Sequence, residues 1–226
     1  MAAVTVALLG GESSGKTTLG VALAQHLNAL GITTTLVPEH LRAWCEREGR
    51  APLAQEQAGI AQEQTRWIEA AANSGAQVVV VDTTALVVSA YSELVFNDTS
   101  LHAPALAQQR RIRLTLLMGL DFPWQADGLF REGPAARAAI DAVLRRELHA
   151  AGIAFQTVYG SPAERLQHAL RAVGVQLGRF LVAGDPMLET GSGRWTCENC
   201  SDPECERRLF SGLLGSGSSQ HSLGSS

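Results

Sequence analysis

The segment Gly10-Gly11-Glu12-Ser13-Ser14-Gly15-Lys16-Thr17-Thr18 constrains this chain more than any other. It fits the pattern G-x-x-x-x-G-K-[ST], in which glycines let successive backbone N–H groups turn toward a polyphosphate. The choice of cation sharpens the match. Of the 18 Lys and Arg residues only Lys16 is a lysine, and it stands where a compact ammonium slides between phosphates and a wide guanidinium fails. Thr17 adds a hydroxyl suited to Mg²⁺. The flanks agree with this: Val4–Leu9 is an apolar run suited to a buried strand. Leu19, Leu23, Leu27 and Leu30 then recur at helical spacing from Thr17 to about Leu30. Strand, glycine loop and helix follow in the order a nucleoside-triphosphate site needs, with all nine residues from Gly10 to Thr18 as ATP-binding candidates.

Four further apolar runs follow at Thr33–Val37, Ala76–Asp82, Arg113–Gly119 and Ala154–Tyr159, separated by helical stretches near 53–73, 84–96, 134–151 and 162–178. The last helix opens on Ser161-Pro162-Ala163-Glu164, an N-cap, a proline at the first position and a capping box. Continuously apolar strands alternating with helices predict an α/β, P-loop NTPase fold. Its core is a five-stranded parallel sheet with helices on both faces, nucleotide-kinase-like, with a short lid. Residues 1–182 form the expected kinase-like domain. Residues 183–226 form an appendage with a cysteine cluster at 197–205 and a Gly/Ser tail at 215–226, expected to be disordered.

Composition narrows the partners. A formal net charge of −4 without a clustered basic stripe argues against a nucleic-acid surface, and Arg110-Arg111-Ile112-Arg113 is a solvated strand entrance. No apolar run reaches the roughly 20 residues that span a membrane. A strand that starts at residue 4 leaves no room for a signal or transit peptide, so the cytoplasm is the expected compartment.

The run Val78-Val79-Val80-Val81-Asp82 is what a second acidic element looks like: a buried strand whose end opens at the ligand crevice. Asp82 is a candidate for holding Mg²⁺ with Thr17, the bland alternative being a cap for the helix near Thr84. A guanine-reading Asn-Lys-x-Asp motif is excluded because no second lysine exists. A small-molecule kinase fits, with the segment Asp121–Arg131 standing where a lid belongs. Arg131 and Arg137 are the lid candidates for covering a transferring phosphoryl group, unless they are solvated helix-end cations. Glu39 and Arg42, three residues apart on one helix face, are placed to meet an acceptor. Glu39 and Asp82 compete as the base that takes the hydroxyl proton, and a surface ion pair is the plain alternative for Glu39 and Arg42.

Several segments together resemble the ribosylnicotinamide kinase domain of the NadR family and its stand-alone relatives, P-loop kinase-like ATPases. Gly10–Thr17 resembles that family's G-G-E-S-S-G-K-[ST], and Pro123-Trp124-Gln125-Ala126-Asp127-Gly128 its P-W-x-x-D-G lid motif. Val81-Asp82-Thr83 and Glu39-His40-Leu41-Arg42 resemble its acidic strand end and its E-x-x-R. The similarity spans about residues 4–175. It implies ATP, Mg²⁺ and phosphate transfer to the 5′-hydroxyl of nicotinamide riboside. Lys16, Glu39, Asp82 and Arg131 would be catalytic, and Glu39, Arg42, Trp67, Trp124 and Asp127 would face the acceptor. The family carries an aromatic residue before the Glu, where this chain has Pro38. Trp67 stands where the other aromatic wall belongs, and Trp44 is placed to substitute for the missing one. Another nucleoside or a sugar-like alcohol is therefore an alternative acceptor.

Cys197, Cys200 and Cys205 form C-x₂-C-x₄-C, a candidate zinc site with three local ligands; Asp202, Glu204 or a partner chain would supply a fourth. Free thiols on a short tail are the alternative. A further alternative makes the chain a regulatory ATP-binding module that acts through protein partners or self-association by this tail.

Overall fold

The computed structural model describes residues 2–124 and 133–182. Five strands and seven helices alternate among them: β1 (Val4–Leu9), α1 (Lys16–Ala29), β2 (Thr34–Val37), α2 (His40–Glu48), α3 (Ala54–Ala72), β3 (Val78–Asp82), α4 (Ala85–Phe96), α5 (His102–Gln109), β4 (Leu114–Met118), α6 (Pro134–Ala150), β5 (Gln156–Val158) and α7 (Pro162–Leu177). The strands form one parallel sheet in the order β2-β3-β1-β4-β5.

Helices cover both faces of this sheet, and strand periodicity assigns each side chain to one of them. Val6 and Leu8 of β1, Val78 and Val80 of β3 and Leu116 and Met118 of β4 face α1 and α7, where Leu19, Leu23, Leu27, Leu170 and Val173 fill the gap. The alternate residues face the other layer. Ala7, Leu9 and Leu117 meet Val87 and Val88 of α4 and Ile140 and Leu144 of α6, while Val79 and Val81 meet Ile68 and Ala71 of α3. Two covered faces explain why these strands read as unbroken apolar runs.

The expected strands and helices appear with ends shifted by one or two residues. Two helices fall outside the list drawn from periodicity. The nine residues of α2 separate from α3 at Gly49, which takes a left-handed conformation (φ 68°). The eight residues of α5 were not expected at all, because the helix is short and buries the amides of Gln108 and Gln109 rather than an apolar stripe. Gln109 earns that place by polar contacts: its Oε1 accepts the Thr84 hydroxyl at 2.8 Å and its Nε2 donates to Thr115 Oγ1 at 2.9 Å.

The start of α3 is held by charge. Glu56 accepts from the backbone N–H of Leu53 at 2.7 Å and takes both Arg50 guanidinium nitrogens at 2.7 Å. Those bonds hold its carboxyl down at about 2, below its usual 4.5. Because the folded value lies below the unfolded one, the contribution is complete above pH 4.5 and is lost as pH falls toward 2. Glu56→Gln is expected to show a shallower loss of stability over that window than the wild type in urea melts at stepped pH.

Gly20 lets α1 sit close to the sheet. A Cβ there would lie 3.2 Å from Leu8 Cδ1 and 3.3 Å from Leu36 Cδ1. Gly20→Val adds two further methyls beyond that point and is expected to cost about 1–3 kcal/mol by overpacking, read as a fall in melting temperature.

Candidate functional site

The glycine loop leaves β1 and returns into α1 with Gly15 left-handed (φ 83°), a conformation a β-carbon disfavours. A Cβ on Gly15 would also press on the Phe122 ring at 3.1 Å. Inside the loop, the Gly11 carbonyl accepts from Ser14 Oγ at 2.7 Å and from Lys16 Nζ at 2.8 Å. Lys16 is thus folded back over the loop, 9% exposed, with its ammonium at the place where phosphates would lie.

The parallel pairing of β1 with β3 sets Leu8 opposite Asp82, so the strand end stands directly beside the loop. Thr17, one residue into α1, donates its hydroxyl to Asp82 Oδ2 at 2.5 Å. Asp82 is 3% exposed, and its Oδ1 has no hydrogen-bond partner among the described residues. The helix after it is capped by Thr84, whose Oγ1 accepts from Leu86 N at 3.3 Å, so Asp82 is not the cap. The Thr17 hydroxyl and the two oxygens of the Asp82 carboxylate are hard oxygen donors, and the set fits Mg²⁺. Thr83, next in sequence, holds φ 79°, unusual for a β-branched residue, and its buried Oγ1 has no partner among the described residues.

Two buried arginines grip the outer edge of the loop. Arg165 of α7 donates to the Ser14 carbonyl at 2.7 Å, to Gly160 O at 2.9 Å, to Gly119 O at 3.3 Å and to Asp121 Oδ1 at 2.5 Å. Its guanidinium also lies 3.8 Å from the centre of the Phe122 ring. Burial lowers its pKa while Asp121 opposes that shift. Arg137 of α6 packs on Gly11 and donates long bonds to Ser13 O (3.3 Å) and Leu120 O (3.4 Å). It has no carboxylate partner among the described residues. The solvated helix-end alternative for Arg137 therefore fails, since it is 8% exposed. Glu12 accepts from Trp124 Nε1 at 3.2 Å and from Gly133 N at 3.0 Å.

A cavity of about 630 Å³ runs from the loop to α2, α3 and α4. Residues 12–18 of the loop line it, as do Glu39 at the cap of α2, Arg42 and Cys45 of α2, Gln57 of α3, Tyr91 and Phe96 of α4, and Phe122. Glu39 and Arg42 stand 3.8 Å apart as a loose pair whose arginine side chain is 45% exposed. Burial, helped by the nearby Glu39 carboxylate, pushes the Cys45 thiol up, so the cavity wall carries a neutral S–H there.

The structure thus brings Lys16, Thr17, Asp82, Glu39 and Arg42 into one neighbourhood and leaves three tryptophans outside the cavity wall. Trp67 packs edge-on against His40 at 4.7 Å, its Nε1 on Glu63, partly buried against the core cluster that holds Val37, Ile68 and Val81. Trp44 is buried in the core under Arg50, and Trp124 faces Glu12. The aromatic wall is built instead by Tyr91, Phe96 and Phe122. Motif matching missed these, along with Arg165 and Gln57, because each belongs to a helix or turn with no phosphate or metal signature. Asp127, Arg131, Cys197, Cys200 and Cys205 lie outside the described residues.

The fold and this loop define a P-loop protein with a nucleotide-kinase-like core. A family model described as an AAA domain matches residues 5–165, and the chain belongs to that family. Among solved structures it is similar to a NadR protein in complex with NR, at TM-score 0.63 and 23% identity. That match covers 78% of this chain and 52% of the other. A NadR protein in complex with NAD and AMP-PNP matches at 0.60 and 23%, covering 78% and 50%. This chain thus spans about half the length of those NadR chains. A thymidylate kinase from Ehrlichia chaffeensis matches at 0.56 and 12%, covering 76% and 100%. No curated protein sequence matches. At these identities the structures share the fold. No helix among the described residues is long and apolar enough to cross a membrane.

Arg165→Lys keeps the charge and loses the planar fork that reaches three carbonyls and a carboxylate at once. It is expected to lower stability by about 1.5–3 kcal/mol and to weaken ATP binding, read by thermal unfolding and nucleotide titration.

Proposed function

We propose that this chain is an ATP- and Mg²⁺-dependent kinase of a small-molecule alcohol, with a nucleoside acceptor and nicotinamide riboside as its leading candidate. One observation carries the proposal: a single cavity joins the phosphate loop and Thr17 to a carboxylate, Glu39, and to an aromatic wall on α4. A nucleotide switch has no use for that second half. The similarity to a NadR protein in complex with NR supports the choice of acceptor.

The geometry supports the following division of work. Loop amides and Lys16 hold the β- and γ-phosphates, the ammonium moving off the Gly11 carbonyl to do so. Thr17 and Asp82 would hold Mg²⁺, which neutralises phosphate charge when bound. Arg137, a buried cation against the loop with no carboxylate partner among the described residues, adds positive charge where the transferred group passes. The acceptor oxygen attacks the γ-phosphorus as the bond to the bridging β–γ oxygen breaks, and ADP departs. The acceptor's hydroxyl proton passes to Glu39, because Asp82 is already committed to the Thr17 hydroxyl and the metal position. Transfer to nicotinamide riboside yields its mononucleotide. Residues 1–182 are the unit that does this.

The test is ADP release from ATP and Mg²⁺ with nicotinamide riboside and a panel of other nucleosides, with the phosphorylated product identified by mass. Strong stimulation by one of them is expected, and Glu39→Gln should lower kcat by about 10²–10⁴-fold while ATP still binds. Turnover that no acceptor raises above background would sink the proposal.

A further inference from the structure

Gln57 sits in the first turns of α3, 4% exposed, and forms part of the cavity wall. Its Oε1 is shut off from solvent and has no hydrogen-bond donor among the described residues. A buried amide oxygen left unpaired is costly, and native interiors seldom keep one without a use for it. The same helix provides the contrast. Gln64, seven residues on, uses both ends of its amide: Oε1 accepts from His40 N at 2.7 Å and Nε2 donates to Pro38 O at 3.3 Å. Those two bonds pin the backbone on either side of Glu39.

Seven residues are nearly two helical turns, so Gln57 shares the buried face of Gln64 and stands roughly 10 Å further along α3. Glu39, whose flanking backbone Gln64 pins, and Gln57, about 10 Å along α3 from Gln64, line one cavity. Leu41, Tyr91 and Phe96 supply its apolar wall. That separation is comparable with the length of a nucleoside from its 5′-hydroxyl to the far edge of its base.

We propose that Gln57 sets acceptor specificity. Its terminal amide turns about its soft last torsion, and Oε1 accepts an N–H or O–H from the acceptor at the end remote from the reacting hydroxyl. The substrate class is then an alcohol of nucleoside length with a flat ring and a donor on that ring's far edge, such as a carboxamide or an exocyclic amine. A ring that carries a carboxylate or a bare edge there leaves Oε1 unpaired and is disfavoured. This role rests on the kinase activity proposed above.

The test uses the full chain and Gln57→Met, equal in length without polar atoms, with Gln57→Leu as a second variant. Acceptors are paired to differ at the far edge: nicotinamide riboside against nicotinic acid riboside, and adenosine against purine riboside. The wild type is expected to favour the donor-bearing member of its preferred pair by at least about tenfold in kcat/KM. Both variants should erase that preference through the acceptor KM with little change in kcat. Without ligand, the Met variant should melt about 2–4 °C higher, since a buried unpaired carbonyl has been removed. A preference unchanged in both variants, or a lower melting temperature in both, overturns the role of Gln57 and leaves the kinase standing. If the wild type phosphorylates none of the four, the same pairs are compared by the shift they cause in melting temperature. A donor-dependent shift lost in Gln57→Met keeps Gln57 as a recognition residue without the kinase, and no shift with any of them overturns both.

Discussion

The hydrogen bond from Thr17 to Asp82 is the contact on which the rest of the site depends. It exists because β3 lies directly beside β1, with Leu8 opposite Asp82, and because α1 begins one residue before Thr17. An acidic residue two strands away would be separated from the loop by nearly 10 Å, twice the interstrand spacing. Here the hydroxyl and the carboxylate meet at 2.5 Å, the carboxylate is buried, and its other oxygen has no partner among the described residues.

The loop itself is short of internal support, and α6 and α7 supply the remainder. Ser14 Oγ and Lys16 Nζ both converge on the Gly11 carbonyl, so the inner side is self-bonded. The outward carbonyls of Ser13 and Ser14 are taken by Arg137 and Arg165. Two guanidiniums beside a phosphate loop raise its positive potential, and the two are treated differently. Arg165 is balanced by Asp121, whereas Arg137 has no carboxylate among the described residues to offset it. Arg165 thus braces the loop through three carbonyls and a carboxylate, while Arg137 makes only two long carbonyl bonds among the described residues.

Legibility in the sequence varied with the kind of signal. The sheet was readable from Val78–Asp82 and Leu114–Met118 because burial on both faces leaves an unmistakable apolar run. The start of α7 was readable from Ser161 to Glu164, where cap, proline and capping box are local chemistry. The helix α5 was not, since its buried glutamines look like surface residues until Thr84 and Thr115 are brought to them. The aromatic wall was misplaced for a similar reason. Trp67 sits on α3, packed against the cluster that holds Val37 and Val81, and no spacing rule says which side of a half-buried helix meets a cavity.

What the sequence determined by itself was the phosphate loop, its strand and helix, the acidic strand end and the parallel α/β class. Each of these is specified within one short segment by backbone conformation, charge or periodicity. What only the tertiary structure decided was which distant side chains converge on that loop. Strand order put Asp82 rather than another acid beside Thr17, and helix packing buried Arg137 and Arg165 against the loop carbonyls. It also set Tyr91, Phe96 and Gln57 around one cavity while burying Trp44 and packing a partly buried Trp67 against the core. The physical reason is one of range: capping, turns and periodicity act over a few residues. Convergence on a site depends on packing between elements whose separation in sequence carries no record of their distance in space.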